Sequence, residues 1–152
     1  MIIRKAEIKD YKEIDLLMQQ LHKIHVSGRP DLYIDLEHPY SVEEFENLVE
    51  NENVICYAAE EDHAVVGFCA ATMRNRSNMV EMRTAYIDDM VVDSNYQRKG
   101  IAKKLFKTVE SEAKKLGAKR VDLMVWEFNK SAIELYRSLG MKPQRYIFEK
   151  SL

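Results

Sequence analysis

Between Val91 and Leu116 the chain changes period once, and sharply. An apolar run ending at Val92 gives way to the polar stretch 93–99, then to Gly100, then to a long segment whose apolar residues recur at helical spacing. Ala102, Leu105, Phe106, Val109, Ala113 and Leu116 share one face, and Lys103, Lys104, Lys107, Glu110, Lys114 and Lys115 share the other. Such a helix needs a sheet or a second helix against its apolar stripe. Gly117 stands where a left-handed C-cap belongs. A strand that enters a helix through a short loop is half of an α/β layer, which sets the fold class.

The remaining segments agree with that class. Residues 2–6 read as a first strand. A helix over 10–25 follows, with Asp10 as cap, Glu13 as its reciprocal partner and Ile14, Leu17, Met18 and Leu21 as its stripe. Residues 26–40 carry Gly28, Pro30 and Pro39 and read as a loop. Ser41 and Glu44 form a second capping box, opening a helix to about Glu50 with Phe45, Leu48 and Val49 buried. Strand patterns occupy 54–60 and 64–74 around the turn Glu61-Asp62-His63, and again 84–92 and 121–126. Asn129 caps a helix that Gly140 ends, and 145–150 is a last strand. The order β-α-α-β-β-β-α-β-α-β predicts one domain over 1–152: a mixed, mostly antiparallel central sheet flanked by helices.

Composition removes several function classes. The 23 basic and 25 acidic residues leave a net charge of −2, so no bulk basic field invites nucleic acid. No apolar run reaches the roughly 20 residues of a membrane span. The N-terminus has no signal-peptide core, which predicts a cytoplasmic protein. Cys56 and Cys69 lie in apolar stretches and read as buried thiols, with a single disulfide as the alternative.

The loop before the long helix carries the chemistry. A helix start leaves backbone N–H groups unpaired and bears the positive end of the dipole, so anions bind there. Gly100 permits close approach of a ligand. Arg98, Lys99, Lys103 and Lys104 surround the same opening. The predicted ligand is a pyrophosphate, although an ordinary loop-to-helix junction with solvated lysines has the same pattern. No G-x-G-x-x-G or G-x-x-x-x-G-K-[ST] occurs, which sets dinucleotide folds and P-loop nucleotidases aside.

Gln97-Arg98-Lys99-Gly100-Ile101-Ala102 resembles the [RQ]-x-x-G-x-[GA] signature of the GNAT N-acetyltransferase superfamily. Tyr86-Ile87-Asp88-Asp89-Met90-Val91-Val92 looks like that family's strand before the loop. The segment 129–141, with Asn129, Ala132, Tyr136, Gly140 and Met141, looks like its second motif. The resemblance implies a GNAT-type fold and acetyl-CoA as co-substrate, with the pyrophosphate on 97–103. It also implies pantetheine along the backbone of Met90 and Val92, with Asn129 and Ala132 close by. An oxyanion would meet the N–H of Met90 or Val91. Transfer would be direct, in a ternary complex.

Tyr136 is the expected acid for the departing thiolate, because the resembling enzymes place a tyrosine facing the sulfur. Its spacing with Ile133 and Leu139 also suits a core aromatic. Asp88, with Asp89 second, is the candidate base. Adjacent carboxylates in a strand point to opposite faces unless a bulge re-aims one. Burial would raise such a carboxyl toward a useful basicity; acceptance of hydrogen bonds from a neighbouring loop is the other reading.

Residues 21–40, with His22, His25, Arg29, Asp31, Tyr33, Asp35, Glu37 and His38, frame the expected acceptor pocket. The acids suggest a small cationic amine. Arg74, Arg76 and Arg83 could instead meet an acidic acceptor. Trp126 and Phe128 would pack in the core, on the cofactor or at a subunit contact. No metal site is expected, since His22 and His25 have no further ligands at suitable spacing. The reading is an N-acetyltransferase acting on a primary amine. The rivals are a protein N-terminal or lysine acetyltransferase and a non-catalytic acyl-CoA sensor. A homodimer is possible.

Overall fold

The computed structural model describes residues 1–75, 80 and 82–152. Arg76, expected at the 75–82 hairpin tip, lies outside the described residues. The sheet is built from β1 (Ile2–Lys5), β2 (Val54–Glu61), β3 (Ala64–Arg74), β4 (Thr84–Val92) and β5 (Arg120–Leu123), paired in chain order. The first three junctions are antiparallel, with Ile3 opposite Ala59, Ala58 opposite Phe68 and Phe68 opposite Val91. β4 and β5 are parallel, with Tyr86 opposite Asp122. A parallel pair needs a crossover, and α3 (Ile101–Lys115) supplies it.

β3 is buried along nearly its whole length, and its alternation sorts the core into two layers. Cys69, Ala71 and Met73 face α3, where Ile101, Leu105, Phe106 and Val109 pack. Phe68 and Ala70 face the other way, onto Ile14, Leu17 and Met18 of α1 (Tyr11–Gly28) and Phe45 of α2 (Val42–Glu50). The Ser41–Glu44 box forms as expected, with reciprocal bonds of 2.8 and 3.1 Å. α4 (Lys130–Ser138) completes the helices.

Asp10 does something other than cap α1. Its carboxylate accepts from the Glu7 N–H at 2.8 Å and takes both ends of the Arg4 guanidinium at 2.7 and 2.9 Å. With Asp10 only 2 % exposed, a buried charge claims the nearest cation before a helix terminus. Glu13, its expected partner, instead accepts from the Val65 N–H at 3.0 Å.

Three expected boundaries move. α1 runs on to Gly28, where a Cβ would lie 2.2 Å from the Phe128 ring, so only glycine lets that ring seat. β5 stops at Leu123, because the chain turns to bring the Trp126 indole N–H onto the Tyr33 hydroxyl at 2.8 Å. The last expected strand, 145–150, is not formed. The segment has a strand's alternation, but among the described residues no strand edge takes it. Tyr146, Ile147 and Phe148 project outward, 86, 76 and 92 % exposed.

Candidate active site

Strand β4 changes partners halfway along. Its ladder with β5 ends at Ile87–Leu123, so residues 88–92 keep β3 on one side and no described strand on the other. The sheet therefore opens into a cleft beside Met90, Val91 and Val92. The register with β3 slips at the same place: Ala71 pairs with Ile87 and Ala70 with Asp89, leaving Asp88 as the extra residue of a bulge. Ile87 packs on the α3 side and Val91 on the α1 side, although their spacing would put them on one face of a regular strand. The bulge makes that change and turns Asp89 toward α1.

The two aspartates have different surroundings. Asp88 accepts from the Thr72 hydroxyl at 2.5 Å and from the Arg74 guanidinium at 2.9 Å. Arg74 also lies over the Tyr86 ring, 3.7 Å from its centroid. Asp89 accepts a short hydrogen bond from the Tyr40 hydroxyl and has no cationic partner among the described residues. Burial raises the Asp89 carboxyl above the ordinary carboxylate range; the Tyr40 bond opposes that shift and the Asp88 charge adds to it. Asp89 and Tyr40 border a cavity of about 190 Å³ shared with Met18, Leu21, His22, His25 and Pro39.

Tyr136 reaches the same centre from α4. Burial, then the Cys69 thiol and the Asp89 carboxylate, push its hydroxyl up to about 12. That hydroxyl has no hydrogen-bond partner among the described residues. Both cysteines are free and buried. Burial pushes the Cys56 thiol up to about 12 and the Cys69 thiol upward as well. Such thiols stay protonated at neutral pH and are poor nucleophiles.

The loop before α3 is held from both sides. Asp93 accepts from the Asn95 N–H at 2.8 Å and closes a single turn at Ser94–Tyr96. Gln20 of α1 donates to Asp93 at 2.8 Å and accepts from the Ser94 N–H at 3.1 Å. Gln97 donates to the Val92 carbonyl at 3.2 Å. Arg98 and Gly100 take left-handed backbones, φ 64° and 79°. The first intrahelical bond runs from the Lys104 N–H to the Gly100 carbonyl at 3.1 Å, so the N–H groups of Ile101, Ala102 and Lys103 have no acceptor within the helix. A Cβ on Gly100 would meet no atom within 4 Å. Lys99 folds over the Tyr96 ring, 4.7 Å from its centroid. This loop has the open backbone and positive helix end that a pyrophosphate requires.

Asn129 is the cap of α4, its carbonyl oxygen accepting from the Ala132 N–H at 3.3 Å. His22 contacts the Ile34 carbonyl at 2.7 Å, and His25 stacks on Tyr33 with centroids 5.2 Å apart. Burial lowers the His25 pKa, which favours its neutral form. Among the described residues no group of three metal-binding side chains converges. Trp126 and Phe128 stack on one another beside Arg29, whose guanidinium is 5.0 Å from the Trp126 centroid.

Two residues of the site escaped the sequence reading. Tyr40 falls in a loop read only as a frame, and its bond to Asp89 spans 49 positions. Gln20 braces a loop 73 positions away. Neither contact has a local signature.

A mixed sheet splayed beside β4, with a bulge and a helix-start cradle at the mouth of the cleft, defines a GNAT-type α/β architecture. The chain belongs to the acetyltransferase (GNAT) family, whose model matches residues 18–141. It is 31 % identical over 114 residues to N-alpha-acetyltransferase 30 of Xenopus laevis, covering 75 % of this chain and 41 % of that protein. Thialysine N-epsilon-acetyltransferase of Sus scrofa is 35 % identical over 60 residues, covering 40 % of this chain and 35 % of its own. This chain thus spans less than half the length of these curated relatives. Among solved structures, a point mutant of the BH1408 protein of Bacillus halodurans superposes with a TM-score of 0.96 at 28 % identity, covering 100 and 99 % of the two chains. The aminoglycoside N-acetyltransferase AAC(6')-Iy in complex with CoA shares the fold, with a TM-score of 0.74 at 17 % identity over 99 % of each chain.

Proposed function

We propose that this chain transfers an acetyl group from acetyl-CoA to a small cationic primary amine, directly, in a ternary complex. One observation carries the acceptor assignment. Asp89 is a partly buried carboxylate at the edge of a small cavity, with no described cation beside it, while Asp88 already holds Arg74. A cationic ammonium supplies the missing charge.

The pyrophosphate sits on the N–H groups that open α3, and pantetheine adds to the free side of Met90–Val92 as an extra strand. Asp89 takes the ammonium proton. The amine nitrogen attacks the thioester carbonyl, and a β4 backbone N–H, from Met90 or Val91, receives the developing oxyanion. Collapse breaks the C–S bond; Tyr136 gives its proton to the departing thiolate and regains one, through solvent, from the second proton that the acylated nitrogen sheds. The two buried, protonated thiols support direct transfer over an acyl-enzyme. This assigns the base to Asp89 and leaves Asp88 to anchor the bulge through Thr72 and Arg74.

A second reading is acetylation of a protein N-terminus. The similarity to N-alpha-acetyltransferase 30 over 75 % of this chain favours it. Thiol release from acetyl-CoA, measured with polyamines, amino sugars, lysine and short peptides, decides between them. Turnover with small amines is expected. Turnover restricted to peptides selects the second reading. Tight CoA binding without thiol release from any amine or peptide overturns both and leaves a sensor.

The cradle has its own test. Gly100→Val places a β-branched residue at φ 79°, and the left-handed backbone alone costs an L-residue about 1–2 kcal/mol. Relief of that strain would re-aim the N–H groups and bring the new methyls into the open space above them. Calorimetry with acetyl-CoA is expected to show affinity reduced by at least roughly ten-fold, about 1.4 kcal/mol, with an unchanged circular dichroism spectrum. Retained affinity counts against the cradle.

A further inference from the structure

We propose that His38 is a positioning residue of the acceptor site, a role that rests on Asp89 being the base. Its bond to the buried Asp15 carboxylate straps residues 38–40 onto α1 and so keeps the Tyr40 hydroxyl on Asp89. Residues 29–41 join α1 to α2 with neither helix nor strand of their own. Three contacts fix the end of that stretch. The His38 ring contacts Asp15 through Nδ1 at 2.7 Å. The Tyr11 hydroxyl of α1 donates to the Tyr40 carbonyl at 2.9 Å. The Tyr40 hydroxyl donates to Asp89 of β4. Pro39 stiffens the chain between the two staples and borders the cavity beside Tyr40.

Asp15 has little else to hold. It is 6 % exposed, and His38 is its only cationic partner among the described residues. Gln19 donates to the same oxygen at 3.0 Å, and the other carboxylate oxygen has no partner. A carboxylate only accepts, so His38 Nδ1 carries the proton. A buried charge left without its partner is costly, which gives this one contact the strength to hold a loop. The Asp15 bond raises the His38 pKa above 6.5; burial opposes the rise, and the Asp15 and Glu37 charges add to it. The charge part of the strap is therefore complete below 6.5 and fades as pH rises through the raised value, leaving a neutral hydrogen bond. The other titratable groups here are Tyr11, which faces Asp15 and Glu44, and Tyr40, which faces Asp89, Asp88 and Cys56. Asp89 faces Asp88, Cys69 and Tyr136 as well, and His22 and His25 share its cavity. Of these contacts the Tyr40 bond is the one that holds the Asp89 carboxyl down against burial. Releasing the strap removes that donor, so Asp89 then titrates higher.

The test titrates Asp89 directly, by carboxyl-carbon NMR of the aspartate-labelled chain, with the Asp89 signal identified by its loss in Asp89→Asn. Tyr40→Phe is expected to raise the midpoint by about one to two pH units, the worth of one hydrogen bond to a charged group. His38→Ala is expected to reproduce most of that rise and to increase KM for the amine. Its acetyl-CoA dissociation constant and circular dichroism spectrum should stay native. The double variant should titrate where Tyr40→Phe does, because His38 acts through Tyr40. His38→Asn, whose amide nitrogen stands where Nδ1 stands, should return the midpoint toward the native value. Should His38→Ala fail to fold, Tyr11→Phe cuts the other staple and carries the same expectation. A native midpoint in the strap variant, a rise that adds fully to that of Tyr40→Phe, or a parallel loss of acetyl-CoA affinity overturns the proposal. The titration needs no turnover, so failure of the base assignment is distinct: a kcat/KM limb that persists in Asp89→Asn removes Asp89 as base without moving the midpoints.

Discussion

Asp89→Asn is expected to lower kcat/KM by about 10²–10⁴-fold, the usual worth of general acid–base catalysis, without loss of the folded state. The replacement keeps the shape of the side chain and an oxygen that can accept from the Tyr40 hydroxyl, so it removes charge and basicity and little else. Stability should move in the opposite direction from activity. Burial raises the Asp89 carboxyl above its ordinary value of 3.8. Between 3.8 and the raised value, the folded state binds more protons than the unfolded state, and stability falls as pH rises through that window. Above the window the full cost of a buried charge remains, and asparagine removes it. The variant is therefore expected to melt no lower than the native chain at pH 7, and somewhat higher if the Tyr40 bond holds. In the native enzyme, kcat/KM should rise with pH through an apparent pKa above the ordinary carboxylate range. The variant should lack that limb. Asp88→Asn is the control: its oxygens already serve Thr72 and Arg74, so a loss of less than about ten-fold is expected where only positioning is disturbed. Native-like turnover in Asp89→Asn, or a larger loss in Asp88→Asn, moves the base elsewhere.

The contrast between these aspartates shows where sequence reading stops. Both are visible as acids in an apolar strand, and a bulge stands there only as the exception that would re-aim one. Neither its presence nor its position is legible, because a register slip is decided by where Ala70 and Ala71 of β3 find their partners. The α3 cradle was legible because all its parts are local: a strand end, a polar loop, a glycine and a helical stripe. Elements with local caps and strong periodicity, such as α2 and α3, formed where expected. The strand at 145–150 did not, because a strand is defined by a neighbour. Asp10 went to Arg4 because buried charges are satisfied in three dimensions. Tyr40 and Gln20 act across 49 and 73 positions, and no period in the sequence encodes such distances.

Tyr136→Phe is expected to reduce kcat by about 10²–10⁴-fold while leaving the acetyl-CoA dissociation constant within error. The ring supplies packing, and phenylalanine retains it. The hydroxyl has no hydrogen-bond partner among the described residues, so its removal strands no other group, and the melting temperature should scarcely change. Its acidity is also informative. Burial, with the Cys69 thiol and the Asp89 carboxylate, holds it near 12, so it remains protonated across the working range and can donate at every pH at which an amine is a nucleophile. Native kcat should therefore show no fall near pH 10, where an ordinary tyrosine would ionise. The leaving group separates an acid from a packing residue. A departing thiolate of low basicity needs no proton, so an acetyl thioester of a more acidic thiol should recover much of the loss in Tyr136→Phe. A purely structural defect would slow both donors alike. An equal penalty with both donors, or an unchanged rate with chemistry shown to be limiting, returns Tyr136 to the core and leaves the thiolate to be protonated by water.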